Sequence, residues 1–235
     1  MTRFKRGDRV YGVTNPQFVG AYAELALASA SMIAQKPRSL SFCQAASAPV
    51  VAVTAWQMLF DYAEARPDQM VLIHGAAGNV GSYAVQLASR AGLHVFATAS
   101  ADDAPYVQNL GATTVIDYQM NRFEEVAPMM DIVLDMVGGA TRRRSLSIIK
   151  PDGILVSVVS EPMPSPDDLR DVRAVFFLVE VTTERLDRIT DLFDQDKLVT
   201  RVGSVLPLEQ ARVAHEMLAG APHKRGKIVL TVADT

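Results

Sequence analysis

The first chemistry this sequence offers is an anion cradle. His74-Gly75-Ala76-Ala77-Gly78-Asn79-Val80-Gly81 follows the apolar run Met70-Val71-Leu72-Ile73 and opens into residues 82–92, where Val80, Ala84, Leu87, Ala88 and Ala91 recur at helical spacing. Strand, glycine turn and helix in that order give each glycine a mechanical task. Gly75 lets the strand turn sharply, Gly78 lets the backbone approach a pyrophosphate, and Gly81 lets helix and strand pack closely. Free N–H groups at the helix start then face the phosphates. The competing reading is a tight strand-to-helix turn that holds no ligand.

Other reactive residue types are sparse. Cys43 is the single cysteine, which excludes an internal disulfide. No motif surrounds it, so it reads as a packed small hydrophobe. His74, His94, His215 and His223 lack the clustered spacing of a closed zinc site and read as structural or surface histidines.

The elements that must position the cradle repeat after it. His94–Ala99 reads as a strand, Tyr106–Leu110 as a helix stopped at Gly111, Thr114–Tyr118 and Asp131–Val137 as further strands, the latter ending at Gly138-Gly139. A short helix over Arg142–Lys150, closed by Pro151-Asp152-Gly153, leads to a strand over Ile154–Val159. Such alternation with near-continuously apolar strands predicts an α/β fold, a doubly wound parallel sheet covered on both faces. Ahead of it, Ser41–Ala65 is helical in pattern, with Pro49 ending one short helix and starting another. Residues 1 to about 36 read as short strands, Arg9–Val13 after a Gly7-Asp8 turn and then Ala21–Leu27, too few to bury a core by themselves. In the tail we expect a strand over Val175–Val179, a helix capped by Thr183 carrying Leu186, Ile189 and Phe193, a helix from Pro207 to Gly220, and a strand over Lys227–Val232. Glu161–Asp168, with three prolines and three acids, is expected to lack regular structure. Expected domains are 1–45, a partial β unit; 46–180, the dinucleotide-binding domain; and 181–235, helices and a strand completing both.

The 235 residues carry a net charge of −3 and no basic block, which argues against a nucleic-acid partner. No apolar run reaches bilayer-spanning length, so no membrane partner is expected. The start, Met1 to Gly7, lacks the apolar core of a signal peptide, and one cysteine fits a reducing cytoplasm.

Gly7-Asp8-Arg9-Val10-Tyr11-Gly12, Ala21-Tyr22-Ala23-Glu24, Thr54-Ala55-Trp56, the glycine motif, Leu110-Gly111-Ala112, Val115-Ile116-Asp117-Tyr118, Asp135-Met136-Val137-Gly138-Gly139 and Arg225-Gly226-Lys227-Ile228-Val229-Leu230 follow one another in a familiar order. Together they resemble the zinc-independent quinone oxidoreductase branch of the medium-chain dehydrogenase/reductases. The resemblance implies a Rossmann sheet with a GroES-like, β-rich catalytic domain. That domain is expected to be partial, because the chain begins near its Gly-Asp turn, and no catalytic residue can be assigned to this sequence. Two departures separate the chain from the similar zinc-dependent alcohol dehydrogenases. Val13–Gly20 fills the place of a four-cysteine lobe, and Pro49-Val50-Val51-Ala52 stands where a zinc-ligating cysteine would be.

An NAD site usually carries a carboxylate about 20 residues past the glycines, at the end of the second strand. Here that strand ends Ala97-Thr98-Ala99-Ser100, and no acid faces the ribose. NADP is therefore favoured over NAD or dual use, with Ser100 and Tyr118, by resemblance, as the 2′-phosphate contacts. Relatives often add a basic residue after that serine, whereas this chain has Ala101-Asp102-Asp103-Ala104-Pro105. The resemblance also implies cofactor contacts from Gly75, Ala76, Ala77, Gly78, Asn79 and Val80, and from Thr54, Phe176, Phe177, Leu178 and Lys227. Read alone, Thr54 is a helix hydroxyl bonded to its own turn, the phenylalanines are core, and Lys227 is an exposed lysine before a strand. The function so implied is an NADPH-dependent reductase passing hydride to a small-molecule quinone or enone without zinc, with a homodimer as one assembly open to it. The alternative is an NADP-binding regulatory or interaction module without turnover.

Overall fold

Apolar runs and glycine turns resolve, in a computed structural model describing residues 3–169 and 171–232, into ten strands and nine α-helices among the described residues, besides a π-helix over Gln57–Tyr62 and short 3₁₀ turns. In chain order these begin β1 (Val10–Gly12), β2 (Ile33–Gln35), α1 (Phe42–Ala46), α2 (Pro49–Trp56), β3 (Met70–Ile73), α3 (Asn79–Arg90), β4 (His94–Ala99) and α4 (Ala104–Asn109). There follow β5 (Thr114–Asp117), α5 (Phe123–Val126), β6 (Met130–Asp135), α6 (Gly139–Ser145), β7 (Ile149–Ser157), α7 (Pro166–Leu169) and β8 (Arg173–Phe176). The tail holds α8 (Thr183–Asp194), β9 (Val202–Pro207), α9 (Ala211–Leu218) and β10 (Lys227–Thr231). No helix is long and apolar enough to cross a membrane.

Contacts divide the chain into two units. One is Thr54–Leu178; the other runs up to Val53 and resumes at Val179. The whole tail thus groups with the first segment, and the first division falls inside α2 rather than at residue 45.

In Thr54–Leu178, six strands form one sheet in the order β5-β4-β3-β6-β7-β8, with every adjacent pair parallel. This is the doubly wound arrangement, in which the chain starts at β3, builds outward to β5, then returns to the other side of β3. Strand order reverses at β3, and the crevice opens beyond the carboxyl ends there. Val71, Leu72, Ile73, Val133, Leu134, Leu155 and Val156 are fully buried, which is why these strands read as unbroken apolar runs. Leu72, Ile116, Phe123, Met130, Val133 and Leu155 belong to one continuous core.

In the other unit, β1 pairs antiparallel with β2 and β9 pairs parallel with β10. Leu186, Ile189 and Phe193 of α8 are buried as their spacing implies. Tyr11 donates its hydroxyl hydrogen bond to the Leu186 carbonyl at 2.9 Å.

Several sequence-based expectations are corrected. Ala21–Leu27 is not a strand: Leu25 is 91 % and Leu27 95 % exposed, and β1 pairs instead with the unforeseen β2. Alternation names a face, but a strand also needs a neighbour to take its backbone hydrogen bonds. Thr182, not Thr183, caps α8 by accepting from the Arg185 N–H, while the Thr183 hydroxyl lies 2.8 Å from the Ile33 carbonyl. The helix expected over Arg142–Lys150 starts at Gly139 and ends at Ser145, and Pro151-Asp152-Gly153 lies inside β7, where the register against β6 is irregular. Asp152 sits there at φ 62°. β9 was not foreseen, and Pro207 ends it instead of starting a helix; a 3₁₀ turn over Leu208–Gln210 leads into α9. The segment over Glu161–Asp168 is not wholly irregular, because Pro166 opens α7.

Candidate functional site

A cleft of about 570 Å³ opens at the carboxyl ends of the strands in Thr54–Leu178. The turn after β3 forms its floor through Gly75, Ala77, Gly78, Asn79, Val80 and Gly81. Thr98, Ala99, Ser100 and Asp103 after β4, with Tyr118 after β5, form one wall, and Met136, Val158 and Val159 after β6 and β7 form the other. A larger hollow, about 800 Å³, adjoins α6, residues 161–165 and residues 169, 171 and 172 but includes none of the glycine-turn residues. The topology and the free helix start favour the smaller one.

The glycines divide their work as spacing suggests. Gly75 sits at φ +69°, a conformation that disfavours side chains. A Cβ on Gly81 would stand 2.2 Å from the Gly75 carbonyl oxygen and 2.7 Å from Ala76 Cα, so only glycine lets α3 approach the turn. On Gly78 a Cβ would meet only the Gly75 oxygen, at 3.1 Å, which leaves its cleft side open for a ligand. Gly78 is the N-cap of α3 and supplies no side-chain cap. The first-turn N–H groups, which have no intrahelical acceptor, therefore present partial positive charge at the cleft floor.

On the first wall, the Tyr118 N–H donates to the Ala99 carbonyl at 3.2 Å, and that of Asp103 to the Ser100 carbonyl at 3.0 Å. The first bond pins the residue after β5 to the last residue of β4, next in sequence to Ser100. Among the described residues, Asp103 is the single acid of the lining, and no lysine or arginine lines it. Asp103 is not among the expected cofactor residues.

Behind the floor, His74 is buried and bonded at both ring nitrogens. The Ser145 hydroxyl donates to the Thr141 carbonyl at 2.8 Å, so it must accept from His74 Nε2–H at 3.0 Å. Nδ1 is then the acceptor from the Thr98 hydroxyl at 3.1 Å. Burial is the main influence on the imidazole and lowers its pKa to about 4, against the pull of Asp135. His74 is thus a neutral strut joining β3, β4 and α6. The Thr98 carbonyl also accepts from the Ala76 N–H at 3.3 Å, fastening the turn itself.

Behind the second wall, outside the lining itself, lies a buried charge pair that sequence reading missed. Asp135 and Arg142 are both buried and meet at 2.8 Å. Burial pushes the Asp135 carboxyl up, but hydrogen bonds from Gly138, Arg142, Val137 and Ser157 outweigh it and hold it below the usual aspartate range. The available signal was an aspartate ending an apolar strand, just before two glycines.

Of the expected cofactor residues, the cleft unites Gly75, Ala77, Gly78, Asn79, Val80, Ser100 and Tyr118. Ala76 is buried in the core and contributes only backbone. Thr54 is buried in α2, outside the lining. Phe176 ends β8; Phe177 is buried and stacks on Tyr62 with centroids 4.3 Å apart; Leu178 is 79 % exposed. None of the three lines the cleft. Lys227 lies in the other unit at the start of β10, where its N–H donates to the Arg201 carbonyl at 3.0 Å and burial pulls its ammonium below the usual lysine range. Among the described residues no group of three or more His, Cys, Asp or Glu is placed to hold a metal ion.

A family model described as zinc-binding dehydrogenase matches residues 110–230. A probable zinc-binding mitochondrial oxidoreductase of Arthroderma benhamiae is 31 % identical over 97 % of this chain and 74 % of its own length. The solved quinone oxidoreductase of Coxiella burnetii is 34 % identical with a TM-score of 0.88, the match covering 98 % of this chain and 74 % of that one. A mycobacterial protein solved in complex with NADPH is 28 % identical with a TM-score of 0.85, over 98 % and 76 %.

Proposed function

This chain belongs to the medium-chain dehydrogenase/reductase superfamily, with the quinone oxidoreductase-like proteins, and we propose that it is an NADPH-dependent reductase acting on a quinone or an activated carbon–carbon double bond without zinc. It is an oxidoreductase of the quinone and zinc-binding oxidoreductase type. The finer reading is carried by one observation: a glycine turn open at Gly78 and an uncapped helix start meet a strand end that carries Ser100 instead of an acid.

These residues fit a nicotinamide dinucleotide. When bound, NADPH supplies hydride from its nicotinamide ring, and quinone reduction consumes one proton besides, giving NADP⁺ and a hydroquinone. The first-turn N–H groups of α3 would hold the pyrophosphate, and the Ser100 and Tyr118 hydroxyls would donate to the 2′-phosphate. Met136, Val158 and Val159 give the far half of the cleft an apolar lining, which would keep water from a ring resting there and strengthen electrostatic interactions. NADPH in the mycobacterial relative supports the choice of cofactor. Val13–Gly20 offers no metal ligand, and no ligand cluster exists among the described residues, which supports hydride transfer without a metal electrophile.

The test is NADPH oxidation by chelator-treated protein with a panel of quinones and enones as acceptors. Turnover with stoichiometric hydroquinone or saturated product is expected. Binding of NADPH without oxidation by any acceptor, or activity restored only by zinc, would refute the reading.

A further inference from the structure

Arg142 is 2 % exposed although its neighbours Arg143 and Arg144 face solvent. A buried guanidinium is costly unless its donors are met, and here the acceptors come from two stretches flanking the cleft. Nε donates to Asp135 Oδ2 at 2.8 Å, at the end of β6. Nη2 donates to Ser157 Oγ at 2.9 Å and to the Val159 carbonyl at 2.8 Å. Nη1 reaches the Glu161 and Pro162 carbonyls at 3.2 and 3.3 Å and the Met163 sulfur at 3.6 Å.

Asp135 continues the brace in the other direction. Its Oδ1 accepts from the Val137 and Gly138 N–H groups at 3.0 and 2.8 Å, and its Oδ2 from the Ser157 hydroxyl at 2.8 Å. The Glu161 carboxylate accepts from the Gly139 N–H at 2.6 Å, tying the segment after β7 to the start of α6. Beyond the Val158 N–H bond to the Asp135 carbonyl at 3.2 Å, both segments have left the sheet, so these bonds replace the ladder they no longer have. Met136, Val158 and Val159 within them make one wall of the cleft, while Ser100 and Tyr118 stand on the other side of β3. With the pyrophosphate at the turn after β3 and the 2′-phosphate at the end of β4, the nicotinamide must lie toward β6 and β7.

We propose that Arg142, acting through Asp135, is a positioning residue for the nicotinamide half of the bound dinucleotide. It fixes the two strand-end segments against which that half rests, and it leaves the adenosine half to the glycine turn, Ser100 and Tyr118. The inference rests on the cofactor reading above. A pair that served stability alone would weaken every ligand of the cleft alike. A positioning pair splits them.

Calorimetric titration of wild type, Arg142→Lys and Ser157→Ala with adenosine 2′,5′-bisphosphate and with NADPH reads that split. NADPH is expected to weaken about tenfold in Arg142→Lys and about threefold in Ser157→Ala, while the adenosine fragment stays within about twofold of wild type. Equal weakening of both ligands, or of neither, overturns the inference and leaves the cofactor reading standing. Should Arg142→Lys fail to fold, Ser157→Ala, which keeps the ion pair, decides by the same comparison. A wild type that binds neither ligand overturns the cofactor reading and this inference together.

Discussion

Replacing Gly81 by alanine sets a methyl carbon 2.2 Å from the Gly75 carbonyl oxygen, 2.7 Å from Ala76 Cα and 2.9 Å from the Gly75 carbonyl carbon. Favourable carbon contacts lie near ~3.5–4 Å, so the overlap exceeds about 1 Å and falls on backbone atoms that cannot rotate away. The turn is itself held, with the Ala76 N–H on the Thr98 carbonyl and the Gly78 N–H on the Gly75 carbonyl. Strain is therefore relieved by lifting α3, whose Tyr83, Ala84, Leu87 and Ala88 are buried. Overpacking of this kind costs about 1–3 kcal/mol, and backbone neighbours place Gly81→Ala at the upper end. At this chain length about 3 kcal/mol lowers Tm by roughly 6–12 °C. Gly78→Ala is the matched control. Its φ of −75° and ψ of 176° suit alanine, and the sole close atom is 3.1 Å away. Losing glycine at the N-cap costs up to about 1 kcal/mol, and the stiffer unfolded chain returns about 0.4–1 kcal/mol, so the melting point should barely move. Its methyl group nevertheless stands where the pyrophosphate must approach, so NADPH should bind at least about tenfold more weakly. Thermal melting and calorimetric titration of both variants test this division. A Gly81→Ala protein that melts like wild type, or a Gly78→Ala protein that binds NADPH normally, would show the assignment to be wrong.

His74 gives a pH prediction. Its native pKa of about 4 lies below the unfolded 6.5, so the unfolded chain takes the proton first as pH falls. The stability due to the neutral strut is complete above pH 6.5 and is lost between 6.5 and about 4, at up to about 1.4 kcal/mol per pH unit. Urea midpoints of wild type and His74→Asn should converge as pH falls through that window, and parallel curves would contradict the account. Arg142→Met leaves the Asp135 carboxylate buried and uncompensated, so it should cost about 3–5 kcal/mol in denaturant unfolding; a loss under about 1 kcal/mol would mean that solvent reaches the carboxylate. Ser100→Asp puts an acid where the 2′-phosphate is proposed to sit, so the ratio of NADPH to NADH affinity should fall at least about tenfold. An unchanged ratio in competitive titration would remove Ser100 from that site.

The sheet and its glycine turn were legible because their causes are local. A four-residue apolar run closed by a glycine turn is short enough to favour a covered strand over a helix, while Gly75 owes its identity to its own φ of +69° and Gly81 to backbone atoms within a few residues. The same holds for Pro49, which starts α2, and for the buried stripe of Leu186, Ile189 and Phe193. The failures share a cause as well. Ala21–Leu27 has a strand pattern without a strand's partner, while Ile33–Gln35 and Val202–Pro207 are strands because β1 and β10 lie beside them. Arg142, Arg143 and Arg144 are identical in type, and only the placement of β6 and β7 decides which one enters the interior to meet Asp135. His74 likewise reads as one more histidine until Thr98 and Ser145, 24 and 71 residues away, close on its ring. Local sequence sets backbone propensity and the face a side chain takes. Which distant group satisfies a buried charge or an unpaired strand is decided only when the sheet brings them together, because that free energy does not exist in any isolated segment.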